Sequence, residues 1–418
     1  MISEALKRNL RAAAWICAIA MLAAVTLPGG AGAIQRDNVV SIPSQSADQA
    51  AGQGILADID ASALVVMEIL TGQVVLERNS HEALYPASIT KIMTMLVVME
   101  ALADGRIALD DEVVISAQAA TWGGTQIFLE AGEVLLVKDL LKSVAIASAN
   151  DAAVALSEHV AGSTEEFVAL MNQRAQELGM TETHFSNPHG IDDGLEVSEH
   201  HMSAHDIALA SRALIRSYPE VLEWTGTWMD KVRDPDAGDC CELVNTNRLV
   251  RRLEGVDGLK TGHTSRAGFG MSLTGRRGDT RFVVVVMGYE QRPQRDEDAA
   301  KLLNWAFSQW EAVPIIKAGE TVHRLPIDEG VSEQVDLVAA DDFSVLIPRG
   351  QSSDLEQELT VPERRLAPVE RAQSLGRLEV MHKDKSLGTV ELVARQHVER
   401  LSLSVMWLRL LMKIWPWH

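Results

Sequence analysis

Two side chains three residues apart, Ser88 and Lys91, are of a type and spacing that can do nucleophilic chemistry. Apolar residues follow them at helical spacing, which predicts a buried helix that ends at Asp104-Gly105. Residues three apart share one face of a helix, so the Lys91 amine should lie beside the Ser88 hydroxyl. Burial lowers the pKa of a lysine. A neutral amine in that position can take the hydroxyl proton and make Ser88 a nucleophile.

The motif S-x-x-K is weak evidence when it stands alone, because a helix-capping serine and a solvated lysine give the same letters. Two further motifs strengthen it. Ser148-Ala149-Asn150 ends an apolar helical segment, and Lys260-Thr261-Gly262 lies on the first of three predicted strands. Three weak motifs on suitable elements and in this order indicate a penicillin-interacting serine acyltransferase.

The first two motifs supply the groups that move protons. Ser88 attacks a carbonyl carbon and forms an acyl-enzyme, with Lys91 as its general base. Ser148 can relay a proton between Lys91 and the leaving amine. The Asn150 amide can orient Lys91 and the substrate backbone.

The third motif supplies the groups that bind the substrate. Lys260 would place a fixed positive charge beside a terminal carboxylate and help to keep Lys91 neutral, and Thr261 can hydrogen-bond that carboxylate. Gly262 would let an extended peptide approach the strand without a Cβ in the way. The oxyanion hole is expected to use the backbone N–H groups of Ser88 and His263.

With these motifs the chain resembles the D-alanyl-D-alanine carboxypeptidases, the low-molecular-mass penicillin-binding proteins of the type-five class. The resemblance runs from about residue 55 to the end. Further similar stretches are Asn150-Asp151-Ala152, residues 179–185, residues 257–264 and residues 286–288. The loop of residues 116–130 looks shorter than in the best-known members.

The resemblance implies an activity and its site. It implies removal of the terminal D-alanine from peptidoglycan pentapeptide stems through an acyl-enzyme on Ser88, covalent binding of β-lactam antibiotics, and no cofactor or metal. It also places Arg295 near the substrate carboxylate. The implied fold is a β-lactamase-like catalytic domain, then a small β-sandwich, then a helix on the outer face of the inner membrane.

The order of predicted elements independently indicates an α+β fold. An early hairpin formed by Ala63–Leu70 and Gln73–Glu77 precedes a helical middle, and a meander of three strands follows it at residues 258–264, 269–275 and 281–289. The hairpin is expected to complete the late sheet, with Phe282–Met287 in a central strand. Ser203 to Asp206 reads as a capping box that opens a helix to about Ser217, and a last helix is predicted over about Asp296–Trp310.

Shifts in composition divide the chain into five predicted parts. Residues 1–33 combine a basic start, an apolar run and a small-residue site, which is typical of a secretory signal peptide, with an uncleaved membrane anchor as the alternative. A polar leader occupies residues 34–54, the catalytic domain residues 55–311 and a β domain residues 312–397. Val398–His418, rich in tryptophan and interrupted by cations, is predicted to be a helix on a membrane surface, or else a core helix of the β domain.

Charge and cysteine content restrict the partners. The 418 residues carry a formal net charge of −20, which argues against nucleic acid as a partner. An anionic substrate therefore needs local cations. Of three cysteines, Cys17 falls in the signal peptide, and the adjacent Cys240 and Cys241 are interpreted as loop or packing residues, with a vicinal bridge as the alternative.

Histidines cluster between residues 184 and 205. His201 and His205 have the i, i+4 spacing of zinc ligands on a helix. However, Ser203 should cap a helix between them, and no helical acid accompanies them as in H-E-x-x-H. A metal site is therefore not predicted.

Two rival functions share these motifs. A serine β-lactamase of class A needs a further glutamate for the deacylating water, and its usual acidic loop motif is not evident here. A catalytically weak envelope scaffold would not need Ser88, Lys91, Ser148 and Lys260 all intact.

Overall fold

The computed structural model describes residues 54–233, 241–402 and 404–407. The predicted signal peptide, almost all of the polar leader, Cys240 and most of the predicted tail lie outside the described residues. Cys241 begins a short strand and pairs with Val232. The expectations on the signal peptide and on a Cys240–Cys241 bridge therefore remain predictions.

Helices fill the middle of the catalytic region. The α-helices, numbered in chain order, are α1 Lys91–Ala103, α2 Ala117–Thr121, α3 Val137–Lys142, α4 Asn150–Ala161, α5 Thr164–Glu177, α6 Ala204–Ser217, α7 Val221–Thr225 and α8 Arg292–Gln309. Single turns of other helix types are Ala87–Thr90, Arg248–Arg251 and Ser352–Asp354 (3₁₀) and Ser143–Ala147 (π). The capping box is confirmed, because the Ser203 side chain accepts a hydrogen bond from the Asp206 backbone N–H.

Five strands form the sheet that carries the third motif. They are β1 Ala63–Glu68, β2 Val74–Arg78, β7 Val256–Thr264, β8 Gly268–Arg277 and β9 Thr280–Tyr289, in the antiparallel order β2-β1-β9-β8-β7. Ala63 pairs with Met287, so the early hairpin completes the late meander as predicted. Two short pairs lie outside this sheet: β3 Glu112–Val114 with β4 Val134–Leu136, and β5 Met229–Val232 with β6 Cys241–Val244.

Strand β9 lies at the centre of the sheet because its side chains are apolar on both faces. Val283 and Val285 face the core of α1, α4 and α6, whereas Phe282 and Val284 face the core of α8. Residues 282–287 are all buried. A continuous run of β-branched residues therefore marks a strand covered on both faces, as the sequence predicted.

Two elements differ from the sequence prediction. The segment 116–130, predicted to be a loop, contains α2, which the Ser116 side chain caps by accepting from the Ala119 N–H. Helix α8 begins four residues before the predicted start, with Pro293 in its first turn, where a missing N–H costs nothing. The chain therefore turns into this helix directly at Arg292.

The C-terminal region is all β. Its strands are β10 Trp310–Ile316, β11 Thr321–Asp328, β12 Gln334–Ala339, β13 Phe343–Pro348, β14 Leu355–Thr360, β15 Arg365–Leu366, β16 Ser374–His382 and β17 Lys385–Ala394. They form a six-stranded sheet, β14-β16-β17-β12-β11-β15, and the pair β10-β13. The predicted boundary between residues 311 and 312 falls inside β10, which spans Trp310–Ile316. Ala312 of this strand packs in the same hydrophobic core as the apolar residues of α8.

The predicted tail begins too early. Val398 is buried in the core of the C-terminal sheet, and its backbone forms an antiparallel β-bridge with Val369. The Arg400 backbone forms a β-bridge with Gly330, and its side chain forms an ion pair with Glu329. Residues 398–401 therefore belong to the β region, because their backbone and side chains are satisfied there. Residues 404–407 are helical, and Trp407 has 64% of its surface exposed. No helix in the described part of the chain is long and apolar enough to cross a membrane.

Candidate active site

Ser88 lies in the 3₁₀ turn Ala87–Thr90, which runs directly into α1. Ala87 has φ +49°, an unusual value for a residue with a side chain. Gly190 packs against this turn so closely that a Cβ there would lie 1.8 Å from the Ala87 carbonyl oxygen. The Ser88 hydroxyl is thus presented on a strained turn that a neighbouring loop holds in place.

The Lys91 amine lies fully buried in contact with Ser88. Its Nζ is 3.0 Å from Ser88 Oγ, 2.7 Å from Asn150 Oδ1 and 2.8 Å from the His189 carbonyl oxygen. Burial, and next the nearby Lys260 charge, hold the pKa of Lys91 well below its usual value. The sequence predicted this direction and both causes.

These three contacts suit the neutral form of the Lys91 amine. The Asn150 and His189 oxygens only accept hydrogen bonds, so they take both N–H groups of a neutral Lys91. The nitrogen lone pair is then left for the Ser88 hydroxyl. The His189 carbonyl was missed by the sequence analysis, because a backbone oxygen leaves no trace in residue types.

Loop 187–191 is built to hold that carbonyl. Asn187 Oδ1 accepts from the N–H groups of His189 and Gly190, and its Nδ2 donates to the Ile191 carbonyl. The Thr94 hydroxyl of α1 donates to the Pro188 carbonyl. The loop is therefore fastened both to itself and to the helix that carries Lys91.

Ser148 follows the π turn and has the left-handed backbone conformation, with φ +69°. This conformation is uncommon outside glycine, and π turns are frequent at functional sites. Its hydroxyl accepts a hydrogen bond from Lys260 Nζ at 2.8 Å. The structure therefore joins the second and third motifs directly through these two side chains.

Asn150 connects Lys91 to the loop at the rim of the site. While its Oδ1 contacts Lys91, its Nδ2 donates to the Gly123 carbonyl at 2.8 Å, and its backbone N–H donates to the Thr125 carbonyl. The neighbouring Asp151 carboxylate accepts from the Ile127 and Leu129 N–H groups. The residue pair 150–151 thus fixes the loop across residues 123–129.

Lys260 is buried on β7, and its Nζ also donates to the Thr261 carbonyl at 3.0 Å. Burial, and then the charge of Arg295, lower the pKa of Lys260 to about 7. The role of Lys260 as a positive charge beside a substrate carboxylate stays a prediction. Lys91 and Lys260 lie close enough that two positive charges on the pair are disfavoured.

The remaining residues of the third motif differ in part from expectation. A Cβ on Gly262 would lie 2.7 Å from the Pro86 carbonyl oxygen, so this glycine is required for packing against the Ser88 turn. Its role in peptide approach stays a prediction. The Thr261 hydroxyl donates to the Thr246 hydroxyl at 2.8 Å. His263 is exposed and stacks on Phe269, with 3.9 Å between ring centroids.

Arg295 lies on α8 with only 2% of its surface exposed. Its Nε donates to the Asp296 carboxylate at 3.0 Å, and Nη1 donates to the Gly270 carbonyl at 3.2 Å. Gly270 is the register partner of Gly262. The structure therefore brings Arg295 behind the third motif and commits its guanidinium to protein acceptors.

The histidines between residues 184 and 205 have structural contacts. The rings of His205 and His81 lie 4.6 Å apart, and His200 Nε2 lies 2.9 Å from the hydroxyl of Thr90 in the turn Ala87–Thr90. Burial lowers the pKa of His200 to about 4, so it stays neutral there. Within the described ranges, no group of three or more His, Cys, Asp or Glu side chains is placed to hold a metal ion.

A helical body on a five-stranded antiparallel sheet, with Ser-Lys, Ser-Asn and Lys-Thr-Gly motifs converging at their junction, defines the penicillin-interacting active-site serine enzymes. Comparison with known proteins narrows the class. The family model described as D-alanyl-D-alanine carboxypeptidase matches residues 45–291. A second model, described as the penicillin-binding protein 5 C-terminal domain, matches residues 310–400. The chain belongs to the D-alanyl-D-alanine carboxypeptidase family.

Individual relatives agree with this assignment. D-alanyl-D-alanine carboxypeptidase DacF of Bacillus subtilis is 38% identical over 82% of this chain and 86% of its own length. The structure of penicillin-binding protein 5 from Haemophilus influenzae superimposes with a TM-score of 0.72 at 29% identity, covering 86% of this chain and all of that one. Penicillin-binding protein D2 of Listeria monocytogenes, solved with ampicillin bound, has a TM-score of 0.51 at 30% identity over 60% of this chain and 98% of its own.

Proposed function

We propose that Ser88 is the nucleophile and Lys91 the general base of a serine-type D-Ala-D-Ala carboxypeptidase that acts on peptidoglycan stem peptides. The main support for this proposal is the environment of the buried Lys91 Nζ, which contacts two carbonyl oxygens and the Ser88 hydroxyl. Ser88 Oγ bonds to the carbonyl carbon of the penultimate D-alanine while its proton passes to Lys91. This step needs no cofactor.

The leaving D-alanine needs a proton on its amine nitrogen as the scissile C–N bond breaks. Ser148 is suited to relay to this nitrogen the proton that Lys91 took from Ser88, which leaves Lys91 neutral again. The Ser148 hydroxyl is held in place by its hydrogen bond from the Lys260 amine at 2.8 Å. A water molecule then attacks the acyl-enzyme, and Lys91 accepts its proton in the same way. The backbone N–H groups of Ser88 and His263 are the proposed oxyanion donors in both steps.

A β-lactam can undergo the same acylation reaction. Its strained amide takes the place of the peptide bond, and Ser88 becomes acylated while the leaving amine stays tethered to the acyl group. The fate of that adduct distinguishes a carboxypeptidase from a β-lactamase, because only a β-lactamase hydrolyses it rapidly.

The first test compares a peptide ending in D-Ala-D-Ala with fluorescent penicillin on the same protein. We expect released D-alanine with multiple turnovers, and a single penicillin adduct per chain that persists long enough to be resolved on a denaturing gel. Rapid penicillin turnover without D-alanine release would assign a β-lactamase. Stable labelling without either turnover would assign a scaffold.

We propose that the enzyme works at the outer face of the cytoplasmic membrane. Support comes from the basic, apolar and small-residue pattern of residues 1–33, which suits a secretory signal. Beyond residue 402 the sequence mixes tryptophans with Arg409 and Lys413, a composition suited to the headgroup region. In this proposal residues 55–311 form the catalytic domain and the β domain separates it from the tail.

Deletion of residues 402–418 is expected to release the protein from membranes in active form. The cut spares Val398 and Arg400, which belong to the β region, and all groups of the active site. The measurement is the fraction of penicillin-labelled protein in the supernatant after washing membranes, with the full chain as control. Retention of the truncated protein on membranes would place the anchor elsewhere, most simply in an uncleaved residue 12–27 segment.

A further inference from the structure

The imidazole ring of His189 has contacts that the proposed acylation reaction does not use. The backbone carbonyl of this residue accepts from Lys91 Nζ at 2.8 Å, and only 1% of the surface of His189 is exposed. Burial of a polar ring costs free energy unless its hydrogen-bonding groups are satisfied or its faces are well packed. The contacts of the ring therefore indicate what it contributes to the site.

The Nδ1 atom of the ring closes loop 187–191. It accepts a hydrogen bond at 3.1 Å from the backbone N–H of Ile191, two residues further along the chain. The single proton of the neutral ring therefore lies on Nε2. Burial, and next the charges of Lys91 and His200, lower the pKa of His189 to about 2, so the ring stays neutral beside the Lys91 amine.

The ring also packs against the rim loop, residues 122–129. The Trp122 ring lies 4.2 Å from it between centroids, with 49° between the two planes. The His189 Nε2 atom is buried and has no acceptor among the described residues. Apart from Nδ1, the ring thus contributes shape and van der Waals contact rather than a hydrogen bond.

Trp122 lies next to the residue that holds the second oxygen on Lys91. The Gly123 carbonyl accepts from Asn150 Nδ2 at 2.8 Å, and Asn150 Oδ1 accepts from Lys91 Nζ at 2.7 Å. The rim loop therefore links the His189 ring to the Asn150 amide.

Gly124 lies where the rim loop, loop 187–191 and Asn150 meet. It has φ +78°, and a Cβ there would lie 2.8 Å from Asn150 Nδ2 and 3.9 Å from Ile191 Cδ1. The Ile191 N–H is in turn the partner of His189 Nδ1. The two oxygens that accept from Lys91 therefore belong to one packed unit.

We infer that His189 is a positioning residue for Lys91 through its imidazole ring: Nδ1 holds the loop that presents the His189 carbonyl, and packing on Trp122 keeps that loop aligned with Asn150. The ring transfers no proton, because its Nδ1 lone pair is occupied by the Ile191 N–H. This inference rests on the proposed function, since the position of Lys91 matters only if Lys91 is the base.

Two substitutions separate the acceptor from the ring. His189→Asn removes the ring but keeps an acceptor, because an asparagine side chain can bond to the backbone N–H two residues on. His189→Phe keeps a ring and removes the acceptor. The readout is the first-order rate constant of Ser88 acylation by fluorescent penicillin, measured over pH. Unfolded protein lowers the labelled amount but not this constant.

Each variant should be acylated at least about 5-fold more slowly than the native protein, because half of the support for the carbonyl is lost. The acid limb of the profile, where protonation of Lys91 lowers the rate, should also move to higher pH. Burial is the first cause of the lowered pKa of Lys91, with Lys260 next and Asp151 opposing. A loosened cover that admits water therefore raises that pKa.

The position of the acid limb decides between positioning and support of the fold. An unmoved limb in both variants, whether the rate falls or not, would assign His189 to the fold alone and overturn the inference. The matched control is His382→Asn in the C-terminal β region, because His382 is also buried and its Nε2 also lacks an acceptor among the residues that the structure describes. It should change neither the rate constant nor the limb.

Trp122→Ala tests the coupling between the two loops. It should slow acylation as the His189 variants do, and Trp122→Phe should keep most of the native rate. In the double variant with His189→Asn the fold-losses should not multiply, because the second change removes a contact that is already lost. Multiplied losses would show that the two rings act separately and would overturn the inference.

A Lys91→Ala background separates this inference from the proposed function. In that background His189→Asn should change the residual rate constant by less than about twofold, because no amine is left to position. A Lys91→Ala protein that is acylated at the native rate would reject the proposed base, and this inference with it. A slow Lys91→Ala protein in which His189→Asn still causes its full loss would overturn this inference alone.

Discussion

Replacement of Ser88 by alanine is expected to abolish covalent labelling by penicillin and release of D-alanine, with the fold unchanged. Only one oxygen atom is lost, at a half-buried position whose hydrogen-bond partner is Lys91. The remaining groups can hold substrate but cannot form an acyl bond. Intact-mass measurement after incubation with penicillin should show no added mass, against one adduct per chain for the native protein.

The matched control is Ser148→Ala, which removes a hydroxyl of the same kind from the same site. It should slow the reaction while leaving Ser88 able to accept the acyl group. A stoichiometric adduct on the Ser88→Ala protein would show that another residue is the nucleophile. The thermal unfolding temperatures of both variants should match that of the native protein closely enough to exclude misfolding.

Lys91→Ala is expected to slow acylation by about 10²- to 10⁴-fold, the usual contribution of general base catalysis. Deletion of this side chain also leaves the Asn150 and His189 oxygens without their donor. The unfolding temperature should therefore be compared beside the single-turnover acylation rate. A rate close to that of the native protein would show that another group takes the Ser88 proton.

The pH profile of acylation gives a second readout on the same residue. Because burial lowers the pKa of Lys91, the amine is neutral over a range where a free lysine is charged. The native rate should fall as the pH drops through that lowered pKa, since protonation removes the lone pair. In Lys91→Ala this acid limb should disappear. Its persistence in the variant would assign the titration to a different group.

The three motifs could be found in the sequence because the residue types alone identify their reactive groups. Ser88, Lys91, Ser148, Asn150 and Lys260 are brought together as predicted. The central position of β9 could also be predicted, because residues 282–287 are apolar without alternation and need cover on both faces. Apolar patterning and reactive side chains are local signals.

Features that depend on the three-dimensional packing could not be predicted from the sequence. The His189 carbonyl acts through its backbone, and loop 187–191 owes its shape to Asn187 rather than to a regular element. The sequence analysis assigned Gly262 to substrate approach and missed that this glycine also packs against the Ser88 turn. The titration of Lys260 depends on how deeply β7 is covered, which residue type does not reveal.

Pairing of Ala63 with Met287 also has a consequence for biogenesis. The central strand β9 is nearly the last part of the catalytic region to be synthesised, so β1 and β2 have no sheet to join until it emerges. Strand pairings this distant in sequence form slowly, because the entropic cost of closing a long loop must be met before the stabilising contacts form. We therefore expect the five-stranded sheet to stay incomplete until synthesis passes residue 289, and an incompletely folded chain is compatible with the export that the pattern of residues 1–33 predicts.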